Sequence, residues 1–295
     1  MNSPASIRAR LLNTSRQSGE DFQALLTRYA IERFLFRLGE SGQRDTFVLK
    51  GAMLFVAWEG SLHRPTKDLD LLGFGPPSVE DVAARIREIA AIQCDDGIVF
   101  DTAHVETEVI KEDAEYEGVR ARFTARLEQA RIRMQVDIGF GDAVDAPLGT
   151  DRFPAILTGM SPPRLRMYPA ESVIAEKVHA MVVLDVRNSR MKDFYDVWHL
   201  SRTRPFEMER LRRAFRATFE RRRTDLPKGI PFALTPEFLQ SKTKTAQWIG
   251  FVERLRLENV PDLPQVGMAI RRFVEPVLLE ARPASTWPAG GPWHE

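Results

Sequence analysis

Apolar residues recur at helical spacing from residue 6 to residue 38, with Phe22, Leu25, Leu26, Tyr29, Ile31, Phe34, Leu35 and Leu38 in phase. Gly39 and Gly42 stop the run, so the pattern predicts one packing helix over 6–38. Arg28, Tyr29, Arg33, Phe36 and Arg37 on that helix read as core and its flanks, with an RNA clamp as the alternative. The pattern then shortens. Phe47 to Phe74 reads as a short apolar strand, a Lys50-Gly51 turn, one helix, a polar loop and a second strand carrying Asp68 and Asp70. Pro76-Pro77-Ser78 closes that element and caps a helix whose Val79, Val82, Ile86 and Ile89 face a sheet. Period-two alternation follows over 98–110, 118–127 and 131–142, and the short link Glu128-Gln129-Ala130 predicts a hairpin between the last two.

Residues 143–168 are rich in Pro and Gly without a clear period, which suits a connector and sets a domain boundary near residue 160. Helical patterns dominate beyond it. Val173, Ile174, Val178, Met181 and Val182 form a stripe after Pro169. Residues 187–201, 206–223, 245–257 and 266–282 are amphipathic in turn, and 283–295 read as a loose terminus. Strands gathered early and helices late predict an α+β protein. The expected architecture is a mixed sheet with flanking helices over 1–160 and a helical domain over 161–295.

Composition narrows the function. The chain has 295 residues, 43% of them hydrophobic. It lacks any apolar run near the ~18 residues a membrane span needs, and its first residues lack the apolar core of a signal peptide, so a cytoplasmic location with no membrane partner is expected. One cysteine, Cys94, excludes an internal disulfide. With 42 basic and 41 acidic residues the whole chain is close to neutral, yet Arg202 to Lys228 is strongly basic, either as a solvated helix face or as a surface for polyanions. The five histidines do not form zinc-binding sets, and neither a G-x-G-x-x-G nor a Walker A loop is present.

Three features carry chemistry. Asp68 and Asp70 stand two apart on a strand, so their carboxylates share a face while Leu69 and Leu71 share the other. Such a pair repels unless a cation lies between its members, and Mg²⁺ (or Mn²⁺) is the usual choice where phosphates are handled. The alternative is a strand end entering a turn. Gly51 offers a backbone that a phosphate can approach at the start of a helix. In the last strand Ile132, Met134, Val136 and Ile138 take one face and leave Arg131, Arg133, Gln135 and Asp137 on the other. An acid at mid-sheet must be paired or bind metal. Asp137 is therefore a third candidate ligand, or else one half of an ion pair with a neighbouring arginine.

KGAMLF at 50–55 followed by RPTKDLDLLG at 64–73, with FQALLTRYAIERFLFRL upstream, resembles the nucleotidyltransferase-like toxins of the AbiEii/AbiGii group, of type IV toxin–antitoxin systems. Glu176-Lys177 and the R-x-K-D-x-x-D-x-W run at 190–198 are similar to the later motifs of the same family. The resemblance implies a polymerase-beta-like nucleotidyltransferase core that transfers a nucleotide from an NTP to RNA, with a tRNA 3′ end as the acceptor, block of translation as the result, and a cognate antitoxin. It implies metal at Asp68, Asp70 and Asp137, and nucleotide contacts from Lys50, Gly51, Ala52 and Thr66. It further implies that Lys177 neutralises triphosphate charge and that Lys192 and Asp193 complete a cleft between the domains. Ala52 departs from the family's usual Gly or Ser and removes any hydroxyl contact there. Arg221, Arg222 and Arg223 are the candidate RNA contacts. Competing readings are ion pairs of Lys177 with an acid and of Asp193 with Arg190, an antibiotic nucleotidyltransferase, and a nucleotide-binding regulator without transfer.

Overall fold

The computed structural model describes residues 3–60, 66, 68–75, 77–113, 116–141, 150–279 and 285–294. Pro76, most of the polar loop between the first two strands, residues 143–149 of the predicted connector, and Pro283 and Ala284 lie outside them. The chain divides into two compact units, the first running through residue 168 and the second starting at Pro169.

The first unit begins with two helices where one was predicted. Helix α1 spans Pro4–Ser18 and α2 spans Phe22–Glu40. Gly19 takes the left-handed conformation at φ 74° and returns its N–H to Ser15, while the Asp21 carboxylate accepts from Ala24 N–H and starts the next helix. The apolar period continues across this break, which hid it. Strand β1 (Phe47–Lys50), helix α3 (Met53–Glu59) and strand β2 (Leu69–Gly73) follow as expected. Helix α4 (Val79–Ala91) is capped by the Ser78 hydroxyl. The strand predicted over 98–110 is two strands, β3 (Ile98–Phe100) and β4 (Glu106–Asp113). The Asp101 carboxylate takes the N–H groups of Ala103 and His104, and this local turn competes with the ladder.

Strands β5 (Tyr116–Leu127) and β6 (Ala130–Phe140) form the predicted hairpin, with Leu127 opposite Ala130. The sheet order is β1-β2-β6-β5-β3, with β4 also paired to β5. Only the β2–β6 pairing is parallel, so the sheet is mixed. Helices α2 and α4 pack against it, and Phe34, Phe100 and Phe123 join helix to strands at ring-centroid distances of 5.5–5.8 Å. Arg33 and Arg37 are buried, and both are held in ion pairs. Arg37 forms a two-pronged pair with Asp96 at 2.6 and 3.0 Å, and Arg33 meets Glu32 and the Ser161 carbonyl. The helix is core, not an RNA clamp. Part of the predicted connector is ordered structure, with β7 (Thr150–Arg152) pairing with β8 (Arg164–Arg166) and Tyr168 N–H bonding Leu49 O on the free side of β1.

The second unit is helical. Helix α5 (Ala170–Leu184) packs on α6 (Met191–Thr203) and on α7 (Met208–Arg221), which follows the short strand β9 (Phe206–Glu207). The four-residue α8 (Pro236–Leu239), α9 (Lys242–Leu255) and α10 (Leu263–Leu278) complete it. No helix among the described residues is long and apolar enough to cross a membrane. The tail is not loose. Strand β10 (Thr286–Trp287) pairs with β9, and Trp287 and Trp293 are buried against Phe273 at 4.9 and 5.8 Å. Their indole N–H groups reach Ser201 O and Phe273 O at 2.7 and 2.9 Å. Aromatic burial outweighed the Pro/Gly content of the segment.

Trp287→Ala should therefore lower the stability of the second unit by about 3–5 kcal/mol, the usual cost of deleting a buried aromatic ring. Chemical denaturation followed by far-UV circular dichroism measures this, and a change within about 0.5 kcal/mol would return the segment to a surface role.

Candidate active site

Strand register builds the site. Lys50 on β1 lies opposite Asp70 on β2, Asp70 beside Asp137 on β6, Asp137 opposite Arg120 on β5, and Arg120 opposite Glu108 on β4. Register partners share a face, so five charged residues form one row across five strands. Asp68 lies just before β2, lines a groove together with Arg133 and Gln135 of that face, and acts electrostatically on Arg120. On the other face Leu69, Leu71, Val136 and Ile138 are wholly buried. The alternation that buries the apolar set necessarily gathers Asp70 and Asp137.

Each acid is held differently. At Gly51, with φ at 72°, a Cβ would overlap the Asp70 carboxylate, so the space left by the missing side chain is taken by Asp70. Asp137 is 9% exposed and receives two hydrogen bonds of 2.7 Å from Arg120, with Gln135 adding a third at 3.3 Å. The Asp137 carboxylate raises the affinity of Arg120 for its proton, and Asp68 and Glu108 act in the same direction. The arginine partner that the sequence left open for Asp137 is thus Arg120. It stands beside Asp137, where a cation was expected. The Thr66 hydroxyl donates to Asp68 O at 3.3 Å, and the Lys50 ammonium lies 5.9 Å from the centre of the Tyr168 ring. Ala52 is buried at the start of α3, whose N-cap makes no side-chain hydrogen bond.

The donor chemistry of Asp68, Asp70 and Asp137 fits a hard divalent ion, since all are carboxylate oxygens and Asp70 is braced against Gly51. Among the described residues no three His, Cys, Asp or Glu side chains converge closely enough to hold one as they stand. An ion on Asp137 has to share that carboxylate with Arg120.

Lys177, Lys192 and Asp193 lie in the second unit, and two of them meet. The Lys177 ammonium is 2.8 Å from Asp193 Oδ1 and 2.8 Å from Asp196 Oδ2, and both carboxylates are buried. Arg190 Nε is 2.8 Å from Asp193 Oδ2, off the line of a hydrogen bond. Both ion pairs weighed from the sequence are present, and in each the carboxylate is buried while Arg190 remains partly exposed. Lys192 is on the exposed side of α6. At the end of α7, Arg221 and Arg223 are exposed, while Arg222 is half-buried with Nη1 3.5 Å from His179 Nδ1. Sequence reasoning missed Arg120. The turn could have found it, because counting seven residues outward from Leu127 and Ala130 reaches Arg120 and Asp137.

The first unit thus carries a mixed sheet with a row of acids on one face, and the second is helical. Among solved structures, JHP933 from Helicobacter pylori is similar over 88% of this chain and 94% of its own, at 15% identity and a TM-score of 0.47. A Helicobacter pylori protein provisionally described as a nucleotidyltransferase is similar over 88% and 97%, at 16% identity and the same score. Curated proteins yield no match. The chain belongs to the AbiEii family, nucleotidyl transferase toxins of type IV toxin–antitoxin systems, whose family model matches residues 33–272. That membership makes it a toxin-class nucleotidyltransferase and implies a nucleotide substrate and an antitoxin partner.

Replacing Lys177 by Met leaves two buried carboxylates without their ammonium, which should cost about 3–5 kcal/mol of stability. Thermal and denaturant unfolding measure it. Unchanged stability with weakened nucleotide binding would instead make Lys177 a triphosphate ligand with no structural duty.

Proposed function

We propose that this protein transfers a nucleotide from an NTP to an RNA acceptor, a tRNA 3′ end, with a divalent ion, and that it thereby blocks translation in the cytoplasm. The observation that supports this reading is the row of Lys50, Asp70, Asp137 and Arg120 across four strands, with Asp68 just before β2. Asp68 and Asp70 would hold Mg²⁺ or Mn²⁺, with Asp137 contributing on the acceptor side. Such an ion supplies a lowered pKa at an attacking hydroxyl and charge neutralisation at the phosphates.

The chain's own residues do the rest. The acceptor hydroxyl forms a bond to the α-phosphorus as the bond to the β-phosphate oxygen breaks, and pyrophosphate leaves. Asp137, fixed in orientation by Arg120, receives the hydroxyl proton and passes it to solvent. Lys50 and Arg120 border the acids on either side and offset the charge that spreads over the phosphoryl oxygens. Gly51 sets Asp70 in place, and Ala52 and Thr66 border the nucleotide. Lys192 and the Lys177–Asp193 pair enter this reading as triphosphate contacts to be tested by calorimetry of Lys192→Ala.

Asp68→Ala and Asp70→Ala should each reduce transfer by at least ~10³-fold, about 4 kcal/mol in the barrier. Thermal unfolding of each variant separates loss of transfer from loss of the fold. Purified protein is incubated with Mg²⁺, each labelled NTP in turn and total tRNA, and Mg²⁺ binding is followed separately by calorimetry. Wild-type transfer in either variant would sink the assignment. Label transferred to a small-molecule hydroxyl but never to tRNA would favour an antibiotic-type enzyme, and NTP binding without transfer would leave a nucleotide-binding regulator.

A further inference from the structure

The polar face of the β5–β6 hairpin continues away from the acidic row as a run of arginines. Arg122 on β5 lies opposite Gln135, Thr124 opposite Arg133, and Arg126 opposite Arg131. All four arginines are exposed. Arg122 is paired with Glu108 at 2.8 Å, whereas Arg126, Arg131 and Arg133 have no carboxylate partner among the described residues. Two like charges directly opposite each other on an antiparallel ladder destabilise the pairing. Arg126 and Arg131 form such a pair, and no carboxylate among the described residues is paired with either.

The same strands border a groove of about 810 Å³ whose lining includes Asp68, Arg122, Arg131, Arg133, Gln135 and Thr66. One end of the arginine run thus opens beside an acid of the proposed catalytic row. Same-face neighbours on a strand are about 6.8 Å apart, so Asp137 and Arg131 mark a track of about 20 Å. A single small anion cannot engage positions spread over that length. A chain with regularly repeated negative charge can, and arginine's planar fork suits phosphate oxygens. Thr124 and Gln135, interspersed on the same face, offer uncharged hydrogen-bonding groups of the kind that contact sugar and base edges.

We propose that Arg126, Arg131 and Arg133 form the track on which a single-stranded RNA backbone lies as its end reaches Asp68, Asp70 and Asp137. This inference rests on the transferase reading for its direction, but not for its chemistry. It moves the main RNA contact from Arg221, Arg222 and Arg223 to the sheet.

The test is fluorescence anisotropy of a labelled single-stranded RNA and of tRNA across a salt series. It uses wild type, the triple variant Arg126→Gln/Arg131→Gln/Arg133→Gln, and the matching triple variant at Arg221, Arg222 and Arg223. At about 0.7 in the log–log salt slope per single-strand phosphate contact, the hairpin variant should lose about two units of slope. The α7 variant should keep its slope. Thermal unfolding checks folding, and the single charge reversal Arg131→Glu should weaken RNA binding at least as strongly per residue. Calorimetry of NTP binding should give the same affinity in wild type and the hairpin variant. RNA affinity and slope unchanged in the hairpin variant would overturn the proposal. So would loss of binding to polyglutamate with RNA binding intact, which would make the face a docking site for an acidic protein. A reduced slope in a protein that shows no nucleotide transfer would remove the transferase reading and leave the RNA track standing.

Discussion

The parallel pairing of β2 with β6 is the constraint on which the site depends. It sets Asp70 directly beside Asp137 on strands whose opposite face buries Leu69, Leu71, Val136 and Ile138, and two adjacent carboxylates repel. The fold answers from both flanks, with Lys50 in register on one side and Arg120 bound through both guanidinium edges on the other. A parallel pair also demands a long crossover between its strands. Here that crossover contains α4 and the three strands β3, β4 and β5, so the antiparallel half of the sheet is built within the connection that the acidic pair requires.

The two faces of the sheet solve opposite electrostatic problems. Beneath it, α2 brings Glu32, Arg33 and Arg37 into the interior, where every charge must find a fixed partner. Burial pushes the Glu32 carboxyl up, against the pull of Arg33 and of the Ile156 N–H that bonds it. Arg37 joins α2 to the turn before β3 through Asp96, the Ile92 carbonyl and the Ile98 carbonyl. These charges are spent on the fold. On the outer face the balance is left open, with acids crowded at one end of the hairpin and unmatched arginines toward the other. Ligands with phosphates and metal ions complete such a surface.

Strand alternation made much of this legible. Asp68, Asp70, Asp137 and the hairpin emerged from period-two patterning, and the helical part from its 3.6-residue period beyond the Pro/Gly-rich stretch. Register was harder to read. Arg120 follows from the two-residue turn at Glu128-Gln129, but only once that turn is taken as tight. The contact of Gly51 with Asp70 depends on the β1–β2 pairing, which spans a loop of irregular length and leaves no trace in local pattern. The break at Gly19 and the docking of Trp287 and Trp293 were misread for a common reason. In both places a local signal, a continuous apolar period or a Pro/Gly-rich run, was overruled by cap geometry or by long-range burial.

The contact between Gly51 and Asp70 ties two positions into one steric unit. A side chain at residue 51 would displace the aspartate at residue 70, and the positive φ at residue 51 favours glycine further. Keeping the Asp70 carboxylate in this position favours glycine at residue 51, and losing it relieves the overlap but not the backbone constraint. A substitution at residue 51 is therefore felt first at the Asp70 carboxylate, through steric displacement rather than through any change of charge.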